Sequence, residues 1–316
     1  MLEQGTGSPP LDVVSSAPVG GGDTCTATRL TLADGTVLFA KARRRAPGGT
    51  GRPTAVGDRA RSAGWDVVLT SEASGLRWLS EAEAEGGAPV PEVVESTEAR
   101  LVLRWIEPGR PTTGAAERFG RELTRTHRSG APGFGASWAG AIGPLPLDNR
   151  PMEPGAGHGW GSFYAARRIA PFLRLAVDAG SIAAGDRRAV EQVIDRIAEL
   201  SGPDEEPARV HGDLWSGNLV WGAEGRVWGA EGRVWLVDPA AHGGHRETDL
   251  AMLALFGAPH LDRILDAYNE EWALAPGHRD RVPLHQLHPL LVHAALFGPS
   301  YGAQAGAAAR RLLSRH

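Results

Sequence analysis

The chain has 316 residues, of which 42% are hydrophobic, and its 33 basic and 37 acidic residues give a formal net charge of −4 at pH 7. This apolar content excludes an intrinsically disordered chain, and the near balance of charge argues against nucleic acid or an anionic membrane as the main partner. A single cysteine, Cys25, excludes an intramolecular disulfide framework. Neither a signal peptide nor an apolar run of about 18 residues is recognisable, so we expect a cytoplasmic protein.

Residues 11–42 predict a small antiparallel sheet. A first strand ends at the three glycines 20–22. The run Cys25–Leu32 and a second apolar run that ends at Lys41 flank the turn signal Asp34-Gly35, which is the pattern of a β-hairpin. Lys41 is therefore predicted to lie at the end of the third strand.

The next part of the chain predicts a loop, a helix and two further strands. The segment 43–64 is rich in arginine, glycine and proline and has no periodicity, which indicates a mobile surface loop. An apolar stripe at helical spacing predicts a helix over 66–84, and Glu72 lies on it. Strands near 92–96 and 100–106 complete a sheet of five strands with one helix.

The rest of the chain predicts a larger, mainly helical lobe. We assign 1–104 to the first lobe, 105–109 to a hinge and 110–316 to the second lobe, which gives an α+β class and a bilobal architecture. The predicted helices of the second lobe are 113–129, 160–179, 186–200, 247–257, 260–273, 283–297 and 303–315, and two short strands, 219–222 and 233–238, interrupt them.

A seven-residue segment occurs twice in succession, as Trp221–Val227 and Trp228–Val234. Side chains alternate between the two faces of a strand, so seven residues inserted within one strand would turn every later side chain to the opposite face. We therefore predict that the extra copy bulges out of a hairpin as loop, where insertions are tolerated.

Lys41 is the only lysine of the chain, and every other basic residue among the 33 is an arginine. Arginine is a planar fork, whereas lysine is a compact point charge on a thin stem. Such usage is compatible with chance, but it also suits a site that needs a small cation deep in a cleft.

The densest group of polar residues is His211-Gly212-Asp213-Leu214-Trp215-Ser216-Gly217-Asn218, and an apolar strand that ends at Asp238 follows it. This arrangement suits phosphoryl transfer. Asp213 would accept the proton of an attacking hydroxyl, while Asn218 and Asp238 offer hard oxygen ligands for the Mg²⁺ that binds the phosphates of ATP. Asp and Asn are also common in caps and turns, so the prediction depends on the complete spaced set.

The segment His211–Asn218 resembles the signature of the fructosamine kinases (ketosamine 3-kinases), which share a protein-kinase-like fold with the aminoglycoside and choline phosphotransferases. The Leu-Trp pair after Asp213 narrows the resemblance to this family. The resemblance covers residues 11–315, and its further matches are Gly20–Gly22, Glu72 with Gly75–Leu79, Trp160 with Phe163-Tyr164, Asp238–Ala240, Gly244, Glu247, Asp249–Met252, Gln286-Leu287 and Leu296–Gly298.

The resemblance implies a role for each matching position at the site of phosphoryl transfer. Asp213 would be the catalytic base, and Asn218 with Asp238 would hold Mg²⁺. Lys41 would contact the α- and β-phosphates of ATP and would be placed by an ion pair with Glu72.

Other positions would support this site. The backbone N–H groups of Gly20, Gly21 and Gly22 would bind the phosphates, and Trp215 would form a wall against the substrate unless it belongs to the core. His211 is interpreted as orienting the catalytic base rather than transferring the proton. Asp249 would cap a helix, brace the catalytic loop, or do both. Arg104 departs from the acidic residue expected before the hinge, which leaves the contacts to adenine open.

We interpret the chain as an ATP-dependent kinase that phosphorylates a sugar hydroxyl of a ketosamine. For this family the expected acceptor is the 3-hydroxyl, and breakdown of the product ester would then free the amine. The ketosamine would be a small molecule or a protein-bound adduct, and the enzyme a monomer or weak homodimer. Two alternatives remain: a related phosphotransferase for an aminoglycoside or another amino alcohol, and a nucleotide-binding pseudokinase that the 221–234 repeat has disabled.

Overall fold

The N-terminal part forms the predicted antiparallel sheet, with its five strands in the order β1-β2-β3-β5-β4. The structure is a computed structural model that describes residues 11–20, 25–43, 56–152, 159–223 and 232–315. The strands are β1 Val13–Pro18, β2 Cys25–Leu32, β3 Val37–Arg43, β4 Val93–Ser96 and β5 Arg100–Arg104. Lys41 lies on β3 between Ala27 of β2 and Leu101 of β5, so the sheet fixes its backbone from both sides.

One long helix, α1 (Val56–Ser80), packs against this sheet, and a 3₁₀ turn over Glu81–Glu85 follows it. The prediction of a loop over 43–64 is wrong at Arg43, which is the last residue of β3, and again from residue 56 onward, while 44–55 lie outside the described residues. Arginine and alanine are good helix formers and here outweigh the glycines that suggested a loop. The predicted helix over 66–84 is confirmed up to Ser80. Its buried stripe of leucine and alanine packs with β5 in one core, which contains Leu69, Ala73, Leu76, Leu79, Leu101 and Leu103.

The larger part is mainly helical, as predicted. Its helices are α2 Thr113–Arg128, α3 Gly159–Tyr164, α4 Ala170–Asp178, α5 Ala184–Asp195, α6 Ile197–Leu200, α7 Arg246–Phe256, α8 Leu261–Glu271, α9 His278–His285, α10 Leu287–Phe297 and α11 Pro299–Leu313. Its strands form antiparallel pairs, β6 Gly140–Ile142 with β7 Leu145–Leu147, β8 Ala208–Val210 with β11 His242–Gly244, and β9 Leu219–Trp221 with β10 Val234–Leu236.

Several boundaries differ from the predicted ones for physical reasons. The strands β6, β7, β8 and β11 were not predicted, because these three-residue stretches contain glycine, proline, alanine or arginine and lack the run of apolar strand formers that marks β9 and β10. The helix predicted over 160–179 contains a π-helical turn over Ala165–Ile169. Pro171 lies just after this turn and has no N–H to offer to the carbonyl four residues earlier. The helix predicted over 283–297 is two helices, α9 and α10, which meet at Gln286.

The tandem repeat leaves the hairpin ladder intact, as predicted. Trp221 pairs with Val234 and Leu219 pairs with Leu236, so the first residue of the first copy lies opposite the last residue of the second copy. The predicted bulge itself falls on residues 224–231, which lie outside the described ranges.

The predicted hinge segment is attached to this same hairpin by its backbone. The N–H of Ala223 donates to the carbonyl of Glu107 at 2.9 Å, and the N–H of Gly109 donates to the carbonyl of Trp221 at 2.5 Å. The division of the chain at 105–109 itself stays a prediction. None of the helices in the described ranges is both long and apolar enough to cross a membrane.

Candidate active site

The polar octapeptide forms a loop between β8 and β9. Gly212 in this loop has a φ of +79°, and an added Cβ would collide with the carbonyl of Ala240. Glycine is therefore required at this turn, because a side chain is disfavoured both by the left-handed backbone and by the lack of space. The turn brings Asp213 and Asn218 together, since the Nδ2 of Asn218 donates to the backbone carbonyl of Asp213 at 2.8 Å and to its carboxylate at 3.1 Å.

Asp238 reaches the same place from the end of β10. The Nδ2 of Asn218 lies 3.4 Å from the backbone carbonyl of Asp238, so the two predicted metal-binding residues are neighbours despite the repeat between them. Asp238 has a φ of +53°, which is a strained conformation for a residue other than glycine. Its side chain is 45% exposed and is therefore accessible from solvent.

Lys41 joins the two parts of the molecule at this point. Its Nζ donates to the Oε2 of Glu72 at 2.8 Å, which is the predicted ion pair. It also donates to the Oδ1 of Asp238, a contact that was not predicted. One ammonium thus holds a carboxylate of α1 and a carboxylate that follows β10.

The electrostatics of the cleft follow from the excess of carboxylates over cations. Burial alone would lower the pKa of Lys41, but Asp238 and Glu72 outweigh it and raise that pKa above its usual value. Burial, and then the nearby charge of Asp238, raise the pKa of Glu72. Burial followed by Asp238 also raises the pKa of Asp213, to about 7. Three carboxylates therefore compete for one ammonium.

These residues fit a divalent cation. The three carboxylates leave net negative charge around Lys41, and the charge of Asp238 is felt at Asp213 as a raised pKa. The amide nitrogen of Asn218 is used within the loop, so its carbonyl oxygen stays available as a ligand. Mg²⁺ prefers one or two carboxylate or carbonyl oxygens together with phosphate oxygens, which is the set offered here.

His211 and Asp249 hold the backbone of the octapeptide loop, residues 211–218. The carboxylate of Asp249 accepts hydrogen bonds from the backbone N–H groups of His211 at 2.7 Å and Gly212 at 2.9 Å. Burial lowers the pKa of His211, so the ring is neutral, with its Nε2 at 2.9 Å from the carbonyl of Val237 and its Nδ1 accepting from the N–H of Asp213 at 3.2 Å. The N-cap bond of α7 comes instead from His245.

A buried histidine that contacts Asp249 was not predicted. The Nε2 of His127, on α2, lies 3.1 Å from the carboxylate of Asp249, and its Nδ1 lies 2.8 Å from the hydroxyl of Tyr268. No short motif marks these contacts, because His127, Asp249 on α7 and Tyr268 on α8 are far apart in the sequence and come together only when the helices pack.

Trp215 lies on the open side of the loop and is 39% exposed. Its ring contacts Phe256 edge-on, with centroids 6.0 Å apart, and the aromatic surface continues through His293 to Phe297 and Tyr301. Trp215 is thus not a core residue. Phe297 belongs to the segment Leu296–Gly298, which matches the fructosamine kinases, but the sequence did not predict that it shares an aromatic surface with Trp215.

The predicted nucleotide side of the cleft is only partly described. Gly20 lies just after β1 with open space around it, while Gly21 and Gly22 lie outside the described residues. A cavity of about 1180 Å³ adjoins the hinge segment and is lined among others by Trp105 and Glu107, but Lys41 and Asp213 do not line it. The guanidinium of Arg104 is used in an ion pair with Glu92 at 3.2 Å.

Comparison with known proteins gives consistent matches. The family model for fructosamine kinase matches residues 61–315. The protein named "Probable ketoamine kinase YniA" of Escherichia coli K12 is 31% identical over 252 residues, which is 78% of this chain and 81% of that protein. A "Probable ketoamine kinase" of Enterococcus faecium is 33% identical over 65% of this chain and 69% of its own length.

Solved structures give the same result for the fold. The crystal structure of a "putative fructosamine-3-kinase" from Thermobifida fusca superposes with a TM-score of 0.82 at 45% identity and covers 96% of this chain and 95% of that one. An ADP-bound aminoglycoside phosphotransferase, APH(2'')-Ib, superposes with a TM-score of 0.55 at 10% identity over 95% of this chain and 93% of that one. The protein-kinase-like fold that the sequence predicted is therefore confirmed.

Proposed function

The chain belongs to the fructosamine kinase family, and we propose that it transfers the γ-phosphoryl group of ATP to a sugar hydroxyl of a ketosamine. The observation that carries this proposal is the meeting of Lys41, Asp213, Asn218 and Asp238 in one cleft. These four residues come from three separate parts of the sequence, around positions 41, 213–218 and 238, and together they supply a base, a cation for phosphates and two oxygen ligands.

Asp213 would act as the base. The acceptor hydroxyl oxygen forms a bond to the γ-phosphorus, the bond from that phosphorus to the bridging oxygen of ADP breaks, and the hydroxyl proton passes to the carboxylate of Asp213. The hydrogen bond from Asn218 at 3.1 Å orients this carboxylate. A pKa of about 7 makes Asp213 a better proton acceptor than an ordinary carboxylate while it is still ionised in an appreciable fraction.

Asn218 and Asp238 would hold Mg²⁺, which on binding would neutralise charge on the phosphates. Lys41 would bind phosphate oxygens as a point charge, for which its two acidic partners fix the position of its ammonium group. The work of the protein is then positioning and charge stabilisation, without a covalent intermediate.

The acceptor would bind against Trp215. The exposed indole lies two residues after the proposed base, so a sugar that packs on it would present a hydroxyl to Asp213. We propose the 3-hydroxyl as the acceptor, with fructosamine and ribulosamine adducts as substrates. Breakdown of the resulting ester would free the amine, and the reaction would then serve deglycation.

The test is direct detection of product. Fructosamine and ribulosamine are incubated with the protein, ATP and Mg²⁺, and mass spectrometry and NMR identify a phosphorylated product and the carbon that carries the phosphate. The Asp213→Asn variant should lose turnover by about 10³-fold or more and still bind the nucleotide, as measured by calorimetry. An Asp213→Asn variant with the parent rate would overturn the assignment of the base.

The same assay separates the alternatives. Phosphorylation of an aminoglycoside or another amino alcohol in preference to ketosamines would favour the related phosphotransferases. Binding of ATP and Mg²⁺ without turnover of any acceptor would favour a pseudokinase. The intact ladder between β9 and β10 argues for an active enzyme, since the repeat does not displace Asp238 from Asn218.

A further inference from the structure

The position of Lys41 depends on the distance between two carboxylates on different segments. Glu72 lies on α1, and Asp238 follows β10. Lys41 donates to both of them, so a change in their separation would strain or break one of the two contacts. Whatever fixes α1 against the segment after Asp238 therefore also fixes the ammonium that would bind phosphate.

Gly75 is the contact point between these two segments. It lies three residues after Glu72, on the same face of α1. An added Cβ at Gly75 would lie 3.2 Å from the Cβ of Ala241 and 3.2 Å from the Cγ of Pro239. Both neighbours belong to the segment that begins at Asp238, so the helix backbone packs directly on the chain that carries the second carboxylate.

Two further contacts hold α1 in this position. The hydroxyl of Ser71 accepts a hydrogen bond from the N–H of Ala141, in β6, at 3.1 Å. The buried guanidinium of Arg209, in β8, donates to the carbonyl of Trp78 and packs 4.5 Å from the centroid of its ring. The helix is thus attached to the larger part of the molecule on both sides of Gly75, which leaves it little freedom to move away if Gly75 is enlarged.

We propose that Gly75 is a positioning residue for phosphoryl transfer: its missing side chain sets the separation of Glu72 from Asp238 and thereby the position of Lys41. This inference rests on the proposed function for its kinetic consequence. It rests on the geometry alone for its effect on Lys41.

The kinetic test uses Gly75→Ala with a matched control. Alanine favours a helix more than glycine does, so a loss of activity would not come from a weakened helix. Gly185, in α5, has open space around it, and Gly185→Ala provides the same change of residue elsewhere. A shift of a few tenths of an ångström at the phosphates should lower kcat by about tenfold in Gly75→Ala, with the KM for the ketosamine and the activity of Gly185→Ala unchanged.

Two second-site variants identify the path of the effect. In a Glu72→Gln background the ion pair between Lys41 and Glu72 is already lost. Gly75→Ala should there lower kcat by less than about twofold, because both changes act on the same contact of Lys41. Ala241→Gly removes one of the two atoms that the new Cβ would meet, so it should restore part of the activity of Gly75→Ala. Equal losses in both backgrounds, or no recovery with Ala241→Gly, would overturn the proposal.

The solitary lysine allows a test that does not depend on activity. Protein labelled with [¹³C]lysine gives a single side-chain signal, that of Lys41. The signal should move in Gly75→Ala towards its position in Glu72→Gln and should stay in place in Gly185→Ala. An unmoved signal in Gly75→Ala would overturn the proposal even if the wild-type protein is an active ketosamine kinase. If instead the signal moves in Gly75→Ala but the wild-type protein phosphorylates no ketosamine, the role of Gly75 stands and only the proposed function is overturned.

Discussion

Asp213 shows how its surroundings change the chemistry of a single residue. Its side chain is an ordinary carboxylate, yet burial and the neighbouring Asp238 raise its pKa to about 7. The hydrogen bond from Asn218 opposes this shift, since it favours the charged form. The geometry that places Asp238 beside the loop thus also raises the proton affinity of the proposed base.

This raised pKa predicts the pH dependence of the reaction. Only the ionised form of Asp213 accepts a proton, so kcat/KM for the ketosamine should be level above about pH 7 and should fall as the pH drops below it. The measurement is an initial-rate series at saturating ATP and Mg²⁺, where the cation shifts the midpoint to lower pH. A rate that stays constant between about pH 5.5 and 8 would contradict the assignment.

The β9–β10 hairpin is the element that contains the tandem repeat of seven residues. Its strands place Asn218 before β9 and Asp238 after β10, so the register between them sets the proposed metal ligands side by side. The pairing of Trp221 with Val234 is the pairing that a single copy of the repeat would also allow. The duplication therefore adds length without changing which face each strand residue occupies.

Deletion of one copy tests whether the duplication only adds length to the hairpin. Removal of residues 224–230 restores one seven-residue copy and leaves both strands unchanged, so activity should stay within about twofold of the parent, because loop length costs little free energy. As a control, one alanine inserted between Val234 and Trp235 shifts the register and should abolish activity. A single-copy variant without activity would show that the repeat has a role in the site.

At the scale of the whole molecule, the proposed site takes its residues from two parts of the chain. Lys41 comes from the sheet, whereas Asp213, Asn218 and Asp238 come from the larger part. A nucleotide that contacts all of them would tie the two parts together. Binding should therefore stabilise the complete chain and not one part alone.

Thermal unfolding measures this coupling. At about 100 times the Kd of ATP with Mg²⁺, mass action predicts a gain of about 2.7 kcal/mol, which raises the Tm by roughly 5 °C in one transition. ATP with a chelator should give a smaller rise, and Asp238→Asn should remove most of the dependence on Mg²⁺. A Tm that is insensitive to ATP and Mg²⁺ together would contradict the shared site.

The sequence by itself determined the class of fold and the proposed catalytic set. Asp213 and Asn218 are five positions apart, and a turn of this length brings them together in any compatible fold, so a local motif was sufficient. The hairpin that carries Lys41 and the helix with Glu72 followed from alternation and periodicity. The intact pairing of the two strands that flank the repeat could also be predicted, because the parity of a strand is a local property.

Only the tertiary structure decided which distant residues touch. Lys41 and Asp238 are separated by 197 positions, and nothing local indicated that they share a contact or that Gly75 packs on the chain after Asp238. The aromatic neighbours of Trp215 and the histidine behind Asp249 were likewise unpredictable. Such contacts depend on how helices pack on one another, which the summed burial of many side chains determines and no single motif records.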